Sequence, residues 1–348
     1  MRILISLLLL PVSAFAEAIH EELFVFDAAG STHGHVHGSS IVETPSGELI
    51  AVWYENGPVL PDPYYNEDQD KSSNVRIGGA RKAAGAAAWA KPFVMADTFG
   101  VSDNNAALAV DKEERLWLVY PTLLGVPEWT WGSGLLRYHV AESYQGEGAP
   151  QWSNSNILVV QPQGLEAVLE NSALKWAERM KAAGQEAQAG RVHDMLDRLK
   201  SRLSDSSNPL LQRLGWMPRA HPLVRRDGAV VLPLSNENFN IAMMAITEDG
   251  GQTWTFSNPV PEVGLTQPTL AEFSDGHIAA FFRNSSPERR IKRSDSTDGG
   301  MTWGEVTLTE LVHPGAGIEA LALENDHLVM IYNDVEESPR EKLAVSIS

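Results

Sequence analysis

The sequence predicts an all-β fold, a six-bladed β-propeller whose last blade is truncated and which carries an inserted α-helical hairpin. The phrase D-G-G-x-T-W occurs twice, at 249–254 and 298–303, with its aspartates 49 residues apart. A strand–turn–strand pattern recurs along most of the chain, and one segment of different composition interrupts it. Internal repetition at about 40–50 residues indicates a propeller or a solenoid.

The repeated phrase predicts a hairpin corner. An aspartate at the start of a tight turn accepts hydrogen bonds from backbone N–H groups further on, and paired glycines supply positive φ angles. The tryptophan then buries a large apolar surface beside the turn. Each copy follows an apolar run such as Ile241–Ile246, so each is expected to close a strand.

Five strand–turn–strand units predict the blades. Each pairs two apolar runs around a polar turn, which is a hairpin signal. The units span 40–54, 107–120, 222–234, 269–282 and 320–332. A further apolar run, Ala344–Ser348, corresponds to the strand before each D-G-G phrase. We therefore expect a sixth blade that is cut short, either because the chain is a fragment or because another chain closes the ring.

The segment 164–212 predicts a helical hairpin. It is rich in Ala, Glu, Lys, Arg and Leu, and residues such as Leu165, Leu169 and Leu174 recur at helical spacing until Gly184. Two positions remain open for it: a flap packed on the rim of the propeller, or a lid over the binding face.

The N-terminus resembles an export signal. A basic start, an apolar run and Ala14-Phe15-Ala16 fit cleavage after Ala16, so residues 1–16 are expected to be a signal peptide and 17–348 the propeller. The run is too short to span a bilayer. We expect a secreted or periplasmic protein with no membrane span in the mature chain.

Charge and cysteine content exclude several classes of function. A net charge of −18 and the absence of cysteine argue against nucleic-acid partners, disulfides and thiolate metal sites. An acidic substrate could still bind where arginines gather at one site. We expect no cofactor and no metal.

Several segments carry a resemblance to one family, the bacterial BNR-repeat (Asp-box) sialidase-like family of the sialidase superfamily. The resemblance covers about residues 33–348 apart from the insertion. The matching segments are 37–47, 219–222 with 231–234, 267–270, 282–284, 294–300, 332–334 and Arg340 before 343–345.

The resemblance implies an arginine cluster that holds a substrate carboxylate. Guanidinium groups bind carboxylates bidentately and stay charged at any working pH. By position in the family pattern, Arg219, Arg283 and Arg340 are the cluster candidates, and His37 is a further substrate-binding candidate. The alternative for each arginine is an ordinary surface salt bridge.

The resemblance also implies a tyrosine nucleophile activated by a glutamate, with an aspartate as acid/base, a recognised exception among glycosidases. Glu237 matches the glutamate. The acid/base would come from the acidic residues that follow Trp53, among which sequence alone does not choose. These are Glu55, Asp62, Glu67, Asp68 and Asp70, and Asp70 is taken as the candidate.

Two expected functional groups have no counterpart in the printed sequence. The nucleophilic tyrosine and the last arginine of the family would lie in the truncated blade. Tyr332 follows the apolar pair Met330-Ile331, so it fits a buried strand-end residue better than a nucleophile.

Two further patterns leave alternatives open. His33, His35 and His37 alternate, so on a strand they would share one face and could bind a metal, although no carboxylate partner is near. Trp129 and Trp131 could stack on a sugar ring or pack between blades.

The expected function is exo-acting hydrolysis of terminal acidic sugars, with sialic acid favoured, on glycoconjugates. A non-catalytic carbohydrate-binding propeller is one alternative. An enzyme that acts on uronic-acid polysaccharides is the other.

Overall fold

Five antiparallel sheets form the body of the protein in a computed structural model. The residues that this structure describes are 23–26, 35–59, 69–125, 129–182, 184, 186, 190–192, 194, 197–198, 200–201, 210–284, 288–337 and 339–348. The signal-peptide prediction, His33, Asp62, Glu67 and Asp68 lie outside them. Each predicted strand–turn–strand unit supplies two paired strands of one sheet.

The first two sheets are meanders of neighbouring strands. The first contains, in spatial order, β1 (Val36–Glu43), β2 (Leu49–Asn56), β3 (Val75–Lys82) and β4 (Phe93–Ala96). In the second, β5 (Ser102–Asp103) and β6 (Ala107–Val110) both pair with β7 (Leu116–Leu123), followed by β8 (Gly134–Ala141) and β9 (Asn154–Ile157).

The other three sheets repeat this order. In the third, β10 (Trp216–Met217) and β11 (Leu223–Val224) pair with β12 (Val230–Asn236), followed by β13 (Ile241–Thr247) and β14 (Thr255–Phe256). The fourth contains β15 (Thr266–Glu272), β16 (Ile278–Arg283), β17 (Arg290–Ser296) and β18 (Thr307–Val312). The fifth contains β19 (Glu319–Ala322), β20 (Leu328–Asn333) and β21 (Leu343–Ile347).

The core lies between consecutive sheets. Side chains alternate between the two faces of a strand, so Leu116 and Leu118 of β7 pack toward the first sheet while Trp117 and Val119 pack toward the third. Two further apolar clusters join the third sheet to the fourth and the fourth to the fifth. This sheet-beside-sheet arrangement is that of a β-propeller.

The sequence predicts six blades, but the described residues form five sheets, one for each strand–turn–strand unit. Among those residues, no apolar cluster joins the fifth sheet to the first. One face of the fifth sheet is instead exposed, with Leu343 at 71% and Ile347 at 66% exposure, and Leu321, Ile331 and Val345 share that face.

The D-G-G-x-T-W turns form as their sequence predicts. One carboxylate oxygen of Asp249 accepts the backbone N–H groups of Gln252 and Thr253 at 3.0 and 2.9 Å, and the other accepts the Thr253 hydroxyl at 2.6 Å. These bonds, led by that from the Thr253 hydroxyl, lower the pKa of Asp249 to about 2. Asp298 makes the same contacts in the fourth sheet.

Arginines from a preceding hairpin dock on these turns. Arg225, beside the β11–β12 turn, donates to the carbonyl of Gly299 at 2.9 Å. Arg115 lies against the other D-G-G-x-T-W turn. A Cβ atom added to Gly250 would lie only 2.4 Å from Nη1 of Arg115. The repeated turns therefore join neighbouring sheets as well as closing their own.

The helical insertion packs on the propeller. Helix α1 (Leu165–Ala182) buries Leu165, Leu169 and Ala177 in the cluster between the second and third sheets. Leu174 is 41% exposed, because it lies off this apolar face. A short helix, α2 (Leu210–Arg213), precedes β10. Within the part of the chain that the structure describes, no helix is both long and apolar enough to cross a membrane.

Candidate functional site

A polar cavity of about 380 Å³ lies where the five sheets meet. Its lining residues come from every sheet, and mostly from strand ends and the loops that follow them. All six site residues predicted from the sequence are among them: His37, Asp70, Arg219, Glu237, Arg283 and Arg340. No residue of helix α1 lines this cavity, so α1 contacts the sheets without forming part of its wall.

Three guanidinium groups give the cavity its positive charge. Arg283 is the last residue of β16, and its Nη1 donates to Gln267 Oε1 at 3.1 Å. Arg219 donates to the Ser39 carbonyl at 3.3 Å, and Arg340 donates to the Gly315 carbonyl at 3.0 Å. Since these three acceptors are neutral oxygens, none of the three bonds cancels the charge.

Burial and mutual repulsion act on these arginines. Burial is the main cause that lowers the pKa of Arg283, and the charges of Arg340 and Arg219 lower it further, while Glu237 acts in the opposite sense. Burial also lowers the pKa of Arg219, against the influence of Glu319 and Tyr54. Arg219 and Arg283 nevertheless stay protonated at neutral pH, and an anion placed between the arginines would relieve their repulsion.

Glu237 is held partly buried in the β12–β13 connection. Burial raises the pKa of its carboxyl group, and the charge of Arg283 opposes that rise. Its backbone N–H donates to the Gly215 carbonyl at 2.9 Å, which fixes the loop. A carboxyl group with a raised pKa beside a cationic cluster is suited to proton transfer.

The second carboxylate, Asp70, is oriented by its neighbours. The Tyr54 hydroxyl donates to Asp70 Oδ1 at 2.8 Å, and His35 Nε2 lies 2.8 Å from the same oxygen. Asn104 donates to the Asp70 carbonyl at 2.6 Å, so the backbone is held as well. Asp70 thus has a defined position at the cavity wall.

Glu55, another acid/base candidate from the sequence, has a structural place instead. It is 1% exposed, accepts the indole N–H of Trp53 at 2.8 Å and pairs with Arg76 at 2.9 Å. Its side chain does not line the cavity. The two oxygens of Glu55 instead serve structural partners, one the indole of Trp53 and the other the guanidinium of Arg76.

Two of the alternating histidines, His35 and His37, lie in the described part of the chain. His35 and His37 have ring centroids 5.7 Å apart, and no group of three potential ligands occurs among the described residues. His37 Nδ1 accepts the Gly38 N–H at 2.8 Å, and burial followed by the charge of Arg219 lowers the pKa of His37. His37 therefore enters the cavity as a neutral group at neutral pH.

The two tryptophans separate in the structure. Trp131 lines the cavity, whereas Trp129 packs closely on Gly125. The backbone behind Trp131 is fixed by Asn238, whose side chain donates to the Gly132 carbonyl at 3.1 Å. Tyr332 lies in the core between the fourth and fifth sheets, as its sequence context predicts.

Several residues that line the cavity were not predicted from the sequence, among them Tyr54, Asn105, Asn240 and Gln267. Tyr54 directly follows Trp53 at the end of an apolar strand, and Gln267 lies in a segment that carries the family resemblance. Both residues lie near the end of a strand on the inner side of a blade, and this position could have identified them from the sequence.

Replacement of Glu237 by glutamine is expected to change how stability depends on pH. With its pKa raised from the ordinary 4.5, the folded protein keeps this proton to higher pH than the unfolded chain does. The contribution of Glu237 to stability therefore falls as pH rises from about 4.5 through the raised pKa. We expect Glu237→Gln to gain stability over the parent with rising pH in urea unfolding. A stability difference that stays constant with pH would contradict the raised pKa.

Comparisons with known proteins agree with this architecture. The model of the BNR repeat-like domain matches residues 200–348. No curated protein sequence matches the chain. Solved structures with similar folds include Hadza microbial sialidase Hz136, with 16% identity and a TM-score of 0.62 over 90% of this chain and 56% of that one.

Two other similar structures have different descriptions. One is a protein of unknown function from Dyadobacter fermentans, with 14% identity and a TM-score of 0.62 over 90% of this chain and 78% of that one. The other is the NanB sialidase of Streptococcus pneumoniae, with 11% identity and a TM-score of 0.63 over 93% of this chain and 60% of that one. The chain thus spans less than two thirds of the length of either named sialidase. The BNR repeat-like domain thus matches the C-terminal part of the chain, and the two sialidases are similar to the chain in fold.

Proposed function

We propose that the protein is an exo-acting glycoside hydrolase for terminal acidic sugars of glycoconjugates, with sialic acid as the favoured sugar. The observation that carries this proposal is the convergence of Arg219, Arg283 and Arg340 with Glu237 and Asp70 on one cavity. Bidentate pairing of guanidinium with carboxylate supplies both affinity and orientation. Two carboxyl groups in different environments supply the proton transfers of glycoside cleavage.

The proposed role of each residue follows from its charge. The arginines hold the carboxylate of the sugar, and His37 and Trp131 contact its neutral parts. Asp70 is the proposed acid/base, and Glu237 is the proposed partner of a nucleophilic tyrosine, with retention of configuration. Tyr54 lines the same cavity, and its hydroxyl donates to Asp70.

We further propose that a sixth sheet completes the propeller. A second cavity of about 590 Å³ separates β1 from the fifth sheet, and Ile41, Ile331 and Leu343 line it together with Arg219 and Arg340. The apolar wall of this cavity is continuous with the exposed face of the fifth sheet. That face resembles the apolar faces through which the other sheets pack on their neighbours. Amide hydrogen exchange of β21 tests this: slow exchange is expected in the intact protein, and fast exchange would contradict it.

The proposed location is secreted or periplasmic. The N-terminal segment that resembles an export signal supports this location. The net charge of −18, which argues against a nucleic-acid partner, is compatible with it. N-terminal sequencing of protein recovered from a cell fraction tests it. A mature chain that begins at Glu17 is expected, and a retained Met1 in a cytoplasmic fraction would contradict it.

Turnover of an aryl sialoside tests the function. We expect release of the aryl group together with free sialic acid, and retained configuration in the first product. Binding of sialic acid without turnover would instead support the non-catalytic carbohydrate-binding propeller. Cleavage of uronic-acid polysaccharides with sialosides untouched would support the third candidate.

A further inference from the structure

A buried serine interrupts the apolar face of helix α1. Ser172 is 6% exposed, and Leu169 and Ala173 are buried on the same face. A hydroxyl group buried among apolar side chains costs free energy unless it makes a hydrogen bond. Serine is also a weaker helix former than alanine. Helix formation and apolar packing therefore do not explain a serine at this position, but a hydrogen-bonding partner does.

The partner lies in the β14–β15 connection, which consists of residues 257–265. Ser172 Oγ accepts the backbone N–H of Val263 at 3.2 Å. The side chain of Val263 packs against the apolar cluster to which helix α1 contributes. Glu262, the preceding residue, forms an ion pair with Lys292 of β17. Helix α1 and the fourth sheet thus hold this connection between them.

The β14–β15 connection in turn holds the β12–β13 connection, which consists of residues 237–240. The backbone N–H groups of Gly264 and Leu265 both donate to the Asn240 carbonyl, at 2.7 and 3.2 Å. Asn240 lines the central cavity, and so does Glu237 at the other end of the same short connection. A chain of backbone contacts therefore runs from helix α1 to the wall of the cavity.

The other end of the helical insertion holds the same β12–β13 connection. Helix α2 leads directly into Leu214 and Gly215. Asn236 is fully buried, and its side-chain amide donates to the Leu214 carbonyl at 2.9 Å. The backbone N–H of Glu237 donates to the Gly215 carbonyl, also at 2.9 Å. Both ends of the insertion are thus hydrogen-bonded, directly or through one further connection, to the segment that carries Glu237.

We propose that the helical insertion is a brace that positions Glu237, with Ser172 as the positioning residue on helix α1. The role of Glu237 in the reaction rests on the proposed function, whereas the brace rests on the contacts alone. The described residues of α1 line no part of the cavity, so the helix acts through the two connections and not on a ligand. Burial raises the pKa of Glu237, and a firmly packed connection preserves that burial.

Amide hydrogen exchange of Ser172→Ala tests the brace. This variant leaves the Val263 N–H without its acceptor, so the two connections should open more often. We expect exchange about tenfold faster at the hydrogen-bonded amides of Glu237, Asn240 and Gly264. Exchange of residues 278–283 in β16 is expected to stay at the parent rate.

A carbon-13 titration of the Glu237 carboxyl group gives a second readout, with the resonance assigned by its loss in Glu237→Gln. In Ser172→Ala we expect the pKa of Glu237 to fall toward its ordinary 4.5, because water reaches a carboxyl group whose connection has loosened. A role of Ser172 in helix stability alone would leave this pKa unchanged.

Ser294→Ala is the matched control. Ser294 is fully buried, and its Oγ donates to the Gly304 carbonyl at 2.8 Å within the fourth sheet. This variant removes one buried hydroxyl group, as Ser172→Ala does, but its hydrogen bond joins neither connection. We expect the exchange of Glu237 and the titration of its carboxyl group to match those of the parent protein.

The outcomes separate the brace from the proposed function. Unchanged exchange and an unchanged pKa of Glu237 in Ser172→Ala would overturn the brace and leave the arginine site standing. With an aryl sialoside, we expect Ser172→Ala to lower kcat about fivefold and to keep KM within about twofold, because the three arginines lie on other segments. An equal fall of kcat in Ser294→Ala would overturn the positioning role. No turnover by the parent would overturn the proposed function, and faster exchange in Ser172→Ala would still support the brace.

Discussion

Replacement of Arg283 by alanine is expected to weaken binding of N-acetylneuraminic acid about a hundredfold. A charge-assisted, bidentate pair contributes about 3 kcal/mol, and about 1.4 kcal/mol corresponds to a tenfold change. The charges of Arg340, Glu237 and Arg219 all act on Arg283, so Arg283 lies within the shared electrostatic field of the cavity. Calorimetric titration measures the effect directly.

The control for this prediction is Arg198→Ala. Arg198 is exposed, and its recorded hydrogen bond, 3.2 Å long, goes to the Asp194 carbonyl in the helical insertion. Arg198→Ala removes one positive charge, as Arg283→Ala does, but away from the cavity. We therefore expect it to change the affinity less than twofold, as is usual for a screened surface charge. Equal losses in the two variants would mean that net charge, and not the arginine site, governs binding.

Replacement of Gly251 by alanine is expected to lower the free energy of unfolding by about 3 kcal/mol, through left-handed strain and overpacking. Gly251 has a φ of 87°, and a Cβ there would lie 2.9 Å from Tyr138 and 3.1 Å from Trp117, two rigid rings of the second sheet. Its carbonyl also accepts the Tyr138 hydroxyl at 2.6 Å. The repeated turn would therefore separate from the sheet beside it.

The matched control is Gly276→Ala in the β15–β16 turn. Gly276 has a φ of 83°, but a Cβ there would meet nothing within 4 Å. It carries the conformational cost alone, about 1 kcal/mol. Urea unfolding of both variants measures the difference. Equal losses would show that the D-G-G turns close their own hairpins without joining neighbouring sheets.

Much of the fold could be predicted because turn chemistry is local. The five strand–turn–strand units depend on short apolar runs and polar turns, and each forms two paired strands in the structure. Helix α1 could be predicted from the helical spacing of its apolar residues. The exposure of Leu174 could not, because it depends on which face of the helix packs on the sheets. The number of blades was harder to predict from the sequence, because it depends on how the sheets pack together and not on any one segment.

The candidate site was predictable for residues at strand ends. Arg283 and Glu237 follow apolar strands, and a radial fold brings such ends together at its centre. Glu55 could not be assigned, because its burial depends on Trp53 and Arg76 across the sheet. Gln267 could not be chosen either, since its left-handed backbone arises from a bulge that the sequence does not reveal.

We propose that the arginine cavity binds a carboxylated sugar through its carboxylate. Titration of the parent protein with N-acetylneuraminic acid and with its methyl ester tests this most directly, because the ester lacks the negative charge and adds only one methyl group. We expect the ester to bind about a hundredfold more weakly, because a charge-assisted bidentate pair is lost. Equal affinities for the acid and the ester would contradict it.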